Sequence, residues 1–181
     1  MPEVRIVERA DLTPRDLDDL LTWLAAAYDE GPWLPSHWDD LGPGPHLMID
    51  DEHGLAAHAC IDWVPVRAGD HQLASGYLED VATRADVRGQ GLGTALVRAA
   101  RPLIEARSQL GLLATGSFDF YEREGWVRWQ GPLSVIEPDG AVTPTPDEEG
   151  YVMALFLPHT PAGVTVDLPL TRPRRDPEES W

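Results

Sequence analysis

Apolar and polar positions along the chain predict short strands interrupted by two long amphipathic helices. Val4 to Val7 predicts a first strand. Thr13-Pro14-Arg15-Asp16 reads as a helix start, with Thr13 as cap, Pro14 in the first turn and Asp16 as the capping-box acid. Leu17, Leu20, Leu21, Leu24 and Tyr28 then share one helical face. Residues 29–45 hold four prolines, three glycines, Trp33 and Trp38. So long and broken a connection is either a loop covering a substrate or a rigid surface loop whose tryptophans plug the core. His46–Asp50, Leu55–Val66 and Gln72–Thr83 predict three successive antiparallel strands, with Glu52-His53-Gly54 and Ala68-Gly69-Asp70 as turns. Leu92, Leu96, Ala99 and Leu103 mark a second helix reaching about Arg107, which Pro102 should kink or shorten. Leu110–Ala114 predicts a strand, Phe118–Glu124 a short helix, and Trp126–Glu137 and Tyr151–Leu157 two further strands. From Pro158 the chain is proline-rich to Trp181. This order predicts an α+β fold, a mixed, mostly antiparallel sheet flanked by helices, in one domain spanning 1–181.

Composition narrows the function. Thirty-one acids against 14 arginines give a net charge of −17. Nucleic-acid binding needs the opposite balance, because its affinity comes from neutralising phosphates. An acidic protein attracts cations, or owes only its solubility to the excess. No run of eighteen apolar residues exists, so no membrane span is expected. The N-terminus lacks the layout of a signal peptide, and the single cysteine, Cys60, cannot form an intramolecular disulfide. Cytoplasm is the simplest location. The oligomeric state is open, a homodimer being compatible with the sequence. His58 and Cys60 share a strand face, but two ligands do not make a zinc site, and no metal is expected. Neither a Gly-x-Ser-x-Gly elbow nor a His-Glu-x-x-His helix occurs.

The strongest chemical signal is Arg88-Gly89-Gln90-Gly91-Leu92-Gly93, set between the run Tyr77–Thr83 and the second helix. Such a joint offers unpaired backbone N–H groups and the positive end of a helix dipole, an anion site that needs no side chain. Glycines there let the backbone approach a bulky pyrophosphate. A P-loop would need Gly-Lys-Ser/Thr, and the chain contains no lysine. A dinucleotide fingerprint would place its third glycine three residues after the second; here they are two apart. The remaining pattern, Arg-x-x-Gly-x-Gly, resembles the acyl-CoA loop of the GCN5-related N-acetyltransferases. About thirty residues later Phe120-Tyr121-Glu122-Arg123-Glu124-Gly125-Trp126 resembles that superfamily's helix beside the CoA thiol. Tyr121 alone would read as a core aromatic; with the loop before it, the acetyltransferase reading prevails.

From about His46 to Leu157, and again at Trp181, the chain resembles the aminoglycoside 2'-N-acetyltransferases. The likeness rests on Gly76-Tyr77-Leu78-Glu79, Arg84 to Gln90, Tyr121 with Gly125-Trp126, Trp129-Gln130-Gly131-Pro132 and Thr145-Pro146-Asp147-Glu148-Glu149-Gly150. It implies direct attack of a sugar amine on acetyl-CoA, with Glu79 removing the amine proton and Tyr121 protonating the departing thiolate. It also implies that Val81 and Thr83 hold the thioester arm through their backbone, and that Arg88, Gly89, Gln90, Gly91, Leu92, Gly93 and Thr94 cradle the pyrophosphate. The implied acceptor surface comprises Trp33, His37, Trp38, Glu79 with neighbouring Asp80, Thr115, Ser117, Glu148, Glu179 and Trp181 with its terminal carboxylate. The proline-rich extension 158–181 would thus reach the acceptor.

Departures bear on the acceptor. Pro32 and His37 stand where the family carries aspartates, and Ala114-Thr115-Gly116-Ser117 is shorter than its counterpart. The expected acceptor is therefore a cationic aminosugar antibiotic, either a deoxystreptamine drug or kasugamycin, whose fewer charges need fewer acids. The alternatives are acetylation of a polyamine or protein N-terminus, or a non-catalytic acyl-CoA sensor. A sensor would need the loop without Glu79 and Tyr121.

Overall fold

Thr13 caps the first helix as the sequence predicts. The Asp16 amide donates to Thr13 Oγ1 at 3.2 Å, and the Thr13 amide donates to Asp16 Oδ2 at 2.9 Å. Two opening donors of α1 (Pro14–Ala27) are thereby satisfied, and Pro14 contributes none. Leu20 and Leu24 are buried, with Leu17, Leu21 and Trp23 packed around them against Met48, Leu55 and Ala82. Tyr28 closes the helix, donating its amide to Leu24 O, instead of continuing the apolar face.

The computed structural model describes residues 2–28, 43–174 and 181. Two units emerge: one runs from the N-terminus to Asp62 and resumes from Leu78 to Arg101, and the other holds Trp63–Tyr77 and Pro102–Trp181. In the first, β1 (Arg5–Glu8) pairs antiparallel with β2 (Pro45–Asp51), and β2 with the first half of β3 (Gly54–Ala68). The last residues of β4 (His71–Thr83) belong here too, followed by the opening of α2 (Leu92–Arg107).

The second unit is a sheet ordered β6-β9-β5-β4-β3-β10-β7-β8. Its members are β5 (Leu110–Ala114), β6 (Val127–Arg128), β7 (Leu133–Ile136), β8 (Val142–Pro144), β9 (Val152–Phe156) and β10 (Leu170–Pro173), with parts of β3 and β4. The pairs β4–β5 and β7–β10 are parallel; β3–β10, β5–β9, β6–β9 and β7–β8 are antiparallel. A parallel pair needs a crossover, and α2 supplies it between β4 and β5. Gly76 of β4 makes that crossover fit: a Cβ there would lie 2.8 Å from Ile104 of α2. Trp129, 1 % exposed, anchors the core among Val64, Tyr77, Leu112, Val152 and Leu170, and its indole N–H donates to Leu168 O at 2.9 Å.

The second helix reaches Arg107 as expected, with Pro102 inside it. Two other expectations are corrected. The single strand expected over Trp126–Glu137 is two strands, β6 and β7. Between them the amides of Gln130 and Gly131 both donate to Val166 O at 2.9 Å, and Pro132 has no amide for a ladder. Gly131 is obligatory there, because a Cβ would collide with the carbonyl oxygens of Asp167 and Leu168. The proline-rich tail is in part a strand: Leu170–Pro173 lies between β3 and β7, and the Leu170 amide donates to Pro132 O at 2.9 Å.

Candidate active site

In the first unit, Glu79 lies near the end of β4, half-buried together with Asp80 and Val81. Asp80, with φ of 50°, is the one non-glycine residue with positive φ among the described residues. Aspartate tolerates the left-handed region better than most residues, and the kink re-aims its neighbours as a bulge does. Three groups grip it. Tyr28 Oη donates to Asp80 Oδ1 at 2.9 Å, His58 Nδ1 lies 3.2 Å from Asp80 O, and Cys60 Sγ lies 3.9 Å from Asp80 Oδ2. Cys60 Sγ also contacts Glu79 O at 3.7 Å.

Beyond half-buried Thr83 the chain enters a 3₁₀ turn, Ala85–Val87, then the glycine loop. Gly89 and Gly91 have φ of 79° and 82°, so these positions need glycine for their backbone. Ala95 N–H donates to Gly91 O at 3.0 Å, leaving the amides of Leu92, Gly93 and Thr94 as the opening donors of α2. Arginines brace both sides of the loop. Arg84 is paired with Asp51 and Asp86, holding both carboxyls below their usual range, and it also donates to Leu55 O at 3.1 Å. Arg88 donates to Ala27 O at 3.0 Å and Thr83 O at 3.3 Å. Arg88 thus ties the loop to the end of α1 through main-chain carbonyls. Gln90 is exposed, its amide donating to Val87 O at 3.4 Å.

In the second unit Tyr121 belongs to α3 (Phe118–Glu122) and is 7 % exposed. Trp126 meets its ring edge-on at 6.2 Å, and Phe120 at 4.7 Å. Gly125, with φ of 88°, ends the turn so that the amides of Glu124 and Trp126 both reach Tyr121 O. Burial pushes the Tyr121 phenol up to about 12, so it holds its proton throughout the neutral range. Thr115 is half-buried and Ser117 exposed, the Ser117 amide donating to Thr115 Oγ1 at 2.9 Å.

Glu148 and Trp181 meet at Thr145. The indole N–H of Trp181 donates to Thr145 Oγ1 at 3.1 Å, and the Glu148 amide donates to Thr145 O at the same distance. Arg172, 4 % exposed, lies between two rings, 4.9 Å from that of Tyr77 and 5.5 Å from that of Trp181. Sequence reasoning missed Arg172 because it falls in the stretch read as a tail. It also missed Tyr28 and His46, whose partners lie 52 and 12 residues away. Trp33, His37, Trp38 and Glu179 lie outside the described residues.

Comparison with known proteins shows the family. Residues 44–128 match the acetyltransferase (GNAT) domain family. An aminoglycoside 2'-N-acetyltransferase of Mycolicibacterium fortuitum is 34% identical over 166 residues, covering 90% of this chain and 83% of that protein. The chain is a GCN5-related N-acetyltransferase. Its fold is shared with the GNAT family N-acetyltransferase YhbS of Escherichia coli, solved in complex with CoA. The TM-score is 0.67 at 16% identity, over 95% of this chain and 91% of that one. A GNAT family acetyltransferase from Brucella melitensis, solved with acetyl-CoA, gives a TM-score of 0.54 at 15% identity, over 84% and 96%. Acetyl-CoA is the co-substrate of this family. No helix among the described residues is long and apolar enough to cross a membrane.

Proposed function

We propose that this acetyltransferase moves the acetyl group of acetyl-CoA onto the 2'-amine of a cationic aminosugar antibiotic in the cytoplasm. The observation carrying the reading is the 34% identity to an aminoglycoside 2'-N-acetyltransferase across 90% of the chain. Acetyl-CoA supplies an activated carbonyl. The backbone of the 88–94 loop holds its pyrophosphate, with Val81 and Thr83 on the arm. Glu79 takes the proton that the attacking amine must lose, directly or through a water. Tyr121 is a protonated phenol at neutral pH and donates to the sulfur as negative charge builds there. Glu148 supplies a carboxylate for an ammonium group, and the indole of Trp181 an apolar face for a sugar ring.

Within this class, kasugamycin suits the chain better than deoxystreptamine drugs, since Pro32 and His37 replace expected acids and fewer pocket anions favour a less charged acceptor. The test is acetyl-CoA turnover, read by thiol release, against deoxystreptamine aminoglycosides, kasugamycin, spermidine and an N-terminal peptide. We expect acetylation of an aminosugar at its 2'-amine, with kasugamycin ahead. Faster turnover of spermidine or the peptide than of every aminosugar overturns the acceptor, leaving acetyl transfer in place.

A further inference from the structure

Two histidines behind the Glu79–Asp80 kink take no part in the chemistry above, yet they are the most enclosed polar side chains near it. His46 of β2 is 1 % exposed and His58 of β3 is 0 % exposed. The register pairs His46 with Cys60 and Met48 with His58, so the two rings are diagonal neighbours on one face of the hairpin. Their centroids lie 5.2 Å apart, and His46 Nδ1 is 2.9 Å from His58 Nε2. His58 Nδ1 is 3.2 Å from the carbonyl oxygen of Asp80. Trp23 of α1 closes the far side, edge-on to the His58 ring at 6.5 Å.

Hydrogen-bond logic orders the pair. A carbonyl can only accept, so His58 Nδ1 carries the hydrogen. Burial leaves both rings neutral at physiological pH, His46 pushed down to about 4 and His58 to about 3. Nε2 of a neutral His58 protonated on Nδ1 is an acceptor, and His46 Nδ1–H must then donate to it. Two donors in series therefore end on the carbonyl of Asp80, whose φ is positive. Tyr28 holds the same residue by its side chain. A left-handed aspartate inside a strand persists only where its surroundings over-determine it.

We propose that His58, seated by His46, is a positioning residue for acetyl transfer. Its Nδ1–H fixes the Asp80 carbonyl, keeps β4 kinked at that point, and so sets the direction in which Glu79 presents its carboxylate. The proposal rests on Glu79 being the base, and its test separates the two. Asparagine places an amide N–H near the position of Nδ1, whereas glutamine places it near that of Nε2. His58→Asn should therefore keep the bond to Asp80 O, and His58→Gln should lose it.

The experiment measures kcat, the KM for acetyl-CoA and melting temperature for both variants, alone and combined with Glu79→Gln. We expect His58→Gln to lower kcat roughly tenfold or more with acetyl-CoA KM within about twofold, and His58→Asn to recover most of the loss. In the Glu79→Gln background His58→Gln should cost little more, because no base remains to be aimed. A full further loss there overturns the positioning role, as does equal damage by asparagine and glutamine. If Glu79→Gln alone leaves kcat unchanged, the assignment of the base fails instead, and positioning of it fails with it. Nitrogen-15 spectra of the unmutated protein give a check independent of folding of the variants. His58 should be the Nδ1–H tautomer; the Nε2–H tautomer overturns the proposal.

Discussion

At the scale of single residues, the buried histidines make the protein sensitive to acid in a window of their own. In the unfolded chain both titrate near 6.5, while in the folded protein they do so near 4 and 3. Between those limits the unfolded state binds more protons, so stability must fall as the pH falls. Above about 6.5 neither group contributes any slope. The paired carboxyls Asp16, Asp51, Asp86 and Glu137 are all held below their ordinary values, so their contribution is complete above about 5 and lost progressively below that. The melting temperature should therefore be level from pH 8 to about 6.5, decline below that, and fall more steeply from about 5 downward as the carboxyls protonate too. Exchanging His58 for asparagine should flatten the middle portion. A profile level down to pH 4.5 in the parent protein would show both rings to be solvated. None of this is visible along the chain, where the two histidines stand twelve residues apart. Glu79 and Tyr121 stand out as candidates because each belongs to a short local phrase, whereas His46 and His58 acquire meaning only through strand register.

At the scale of elements, what reads well is what local chemistry decides. The Thr13 capping box and the β5 span Leu110–Ala114 come directly from residue order and spacing. The break at Gln130–Gly131 and strand β10 do not, because each answers a distant partner: the carbonyl of Val166 in one case and the edges of β3 and β7 in the other. The glycine loop belongs to the legible kind and supports a specific test. A Cβ at Gly91 would meet nothing within 4 Å among the described residues, so the first atom of a new side chain has room there. Gly91→Glu does place a side chain on a φ of 82°, costing about 1–2 kcal/mol, partly offset by an acid at a helix start. The variant should fold, with a modestly lower melting temperature. Its carboxylate would occupy the pyrophosphate seat and repel the ligand, so CoA affinity by calorimetry should fall about a hundredfold or more. A folded Gly91→Glu protein with unchanged CoA affinity removes the cofactor from this loop. Arg88 donates to Ala27 O and Thr83 O, so part of its guanidinium braces the loop.

At the scale of the whole molecule, the charge of −17 acts on the two proposed substrates in opposite directions. Acetyl-CoA is polyanionic and must approach against that field, so its binding depends on the short-range donors at the start of α2. An aminosugar carries ammonium groups and is drawn in by the same field before it makes any contact. Salt screens the long-range part of both effects, the Debye length falling from about 30 Å at 0.01 M to about 10 Å at 0.1 M. Raising ionic strength over that range should therefore raise the KM of the acceptor several-fold while leaving the KM of acetyl-CoA level or lowering it. A deoxystreptamine drug, with more ammonium groups than kasugamycin, should show the steeper dependence. Glu148→Gln should weaken the acceptor at every salt concentration without removing the slope, because one charge among 31 acids barely alters the distant field. If both KM values are indifferent to salt, the acidic surface serves solubility alone. If both rise together, the excess acid has no part in choosing a cationic acceptor.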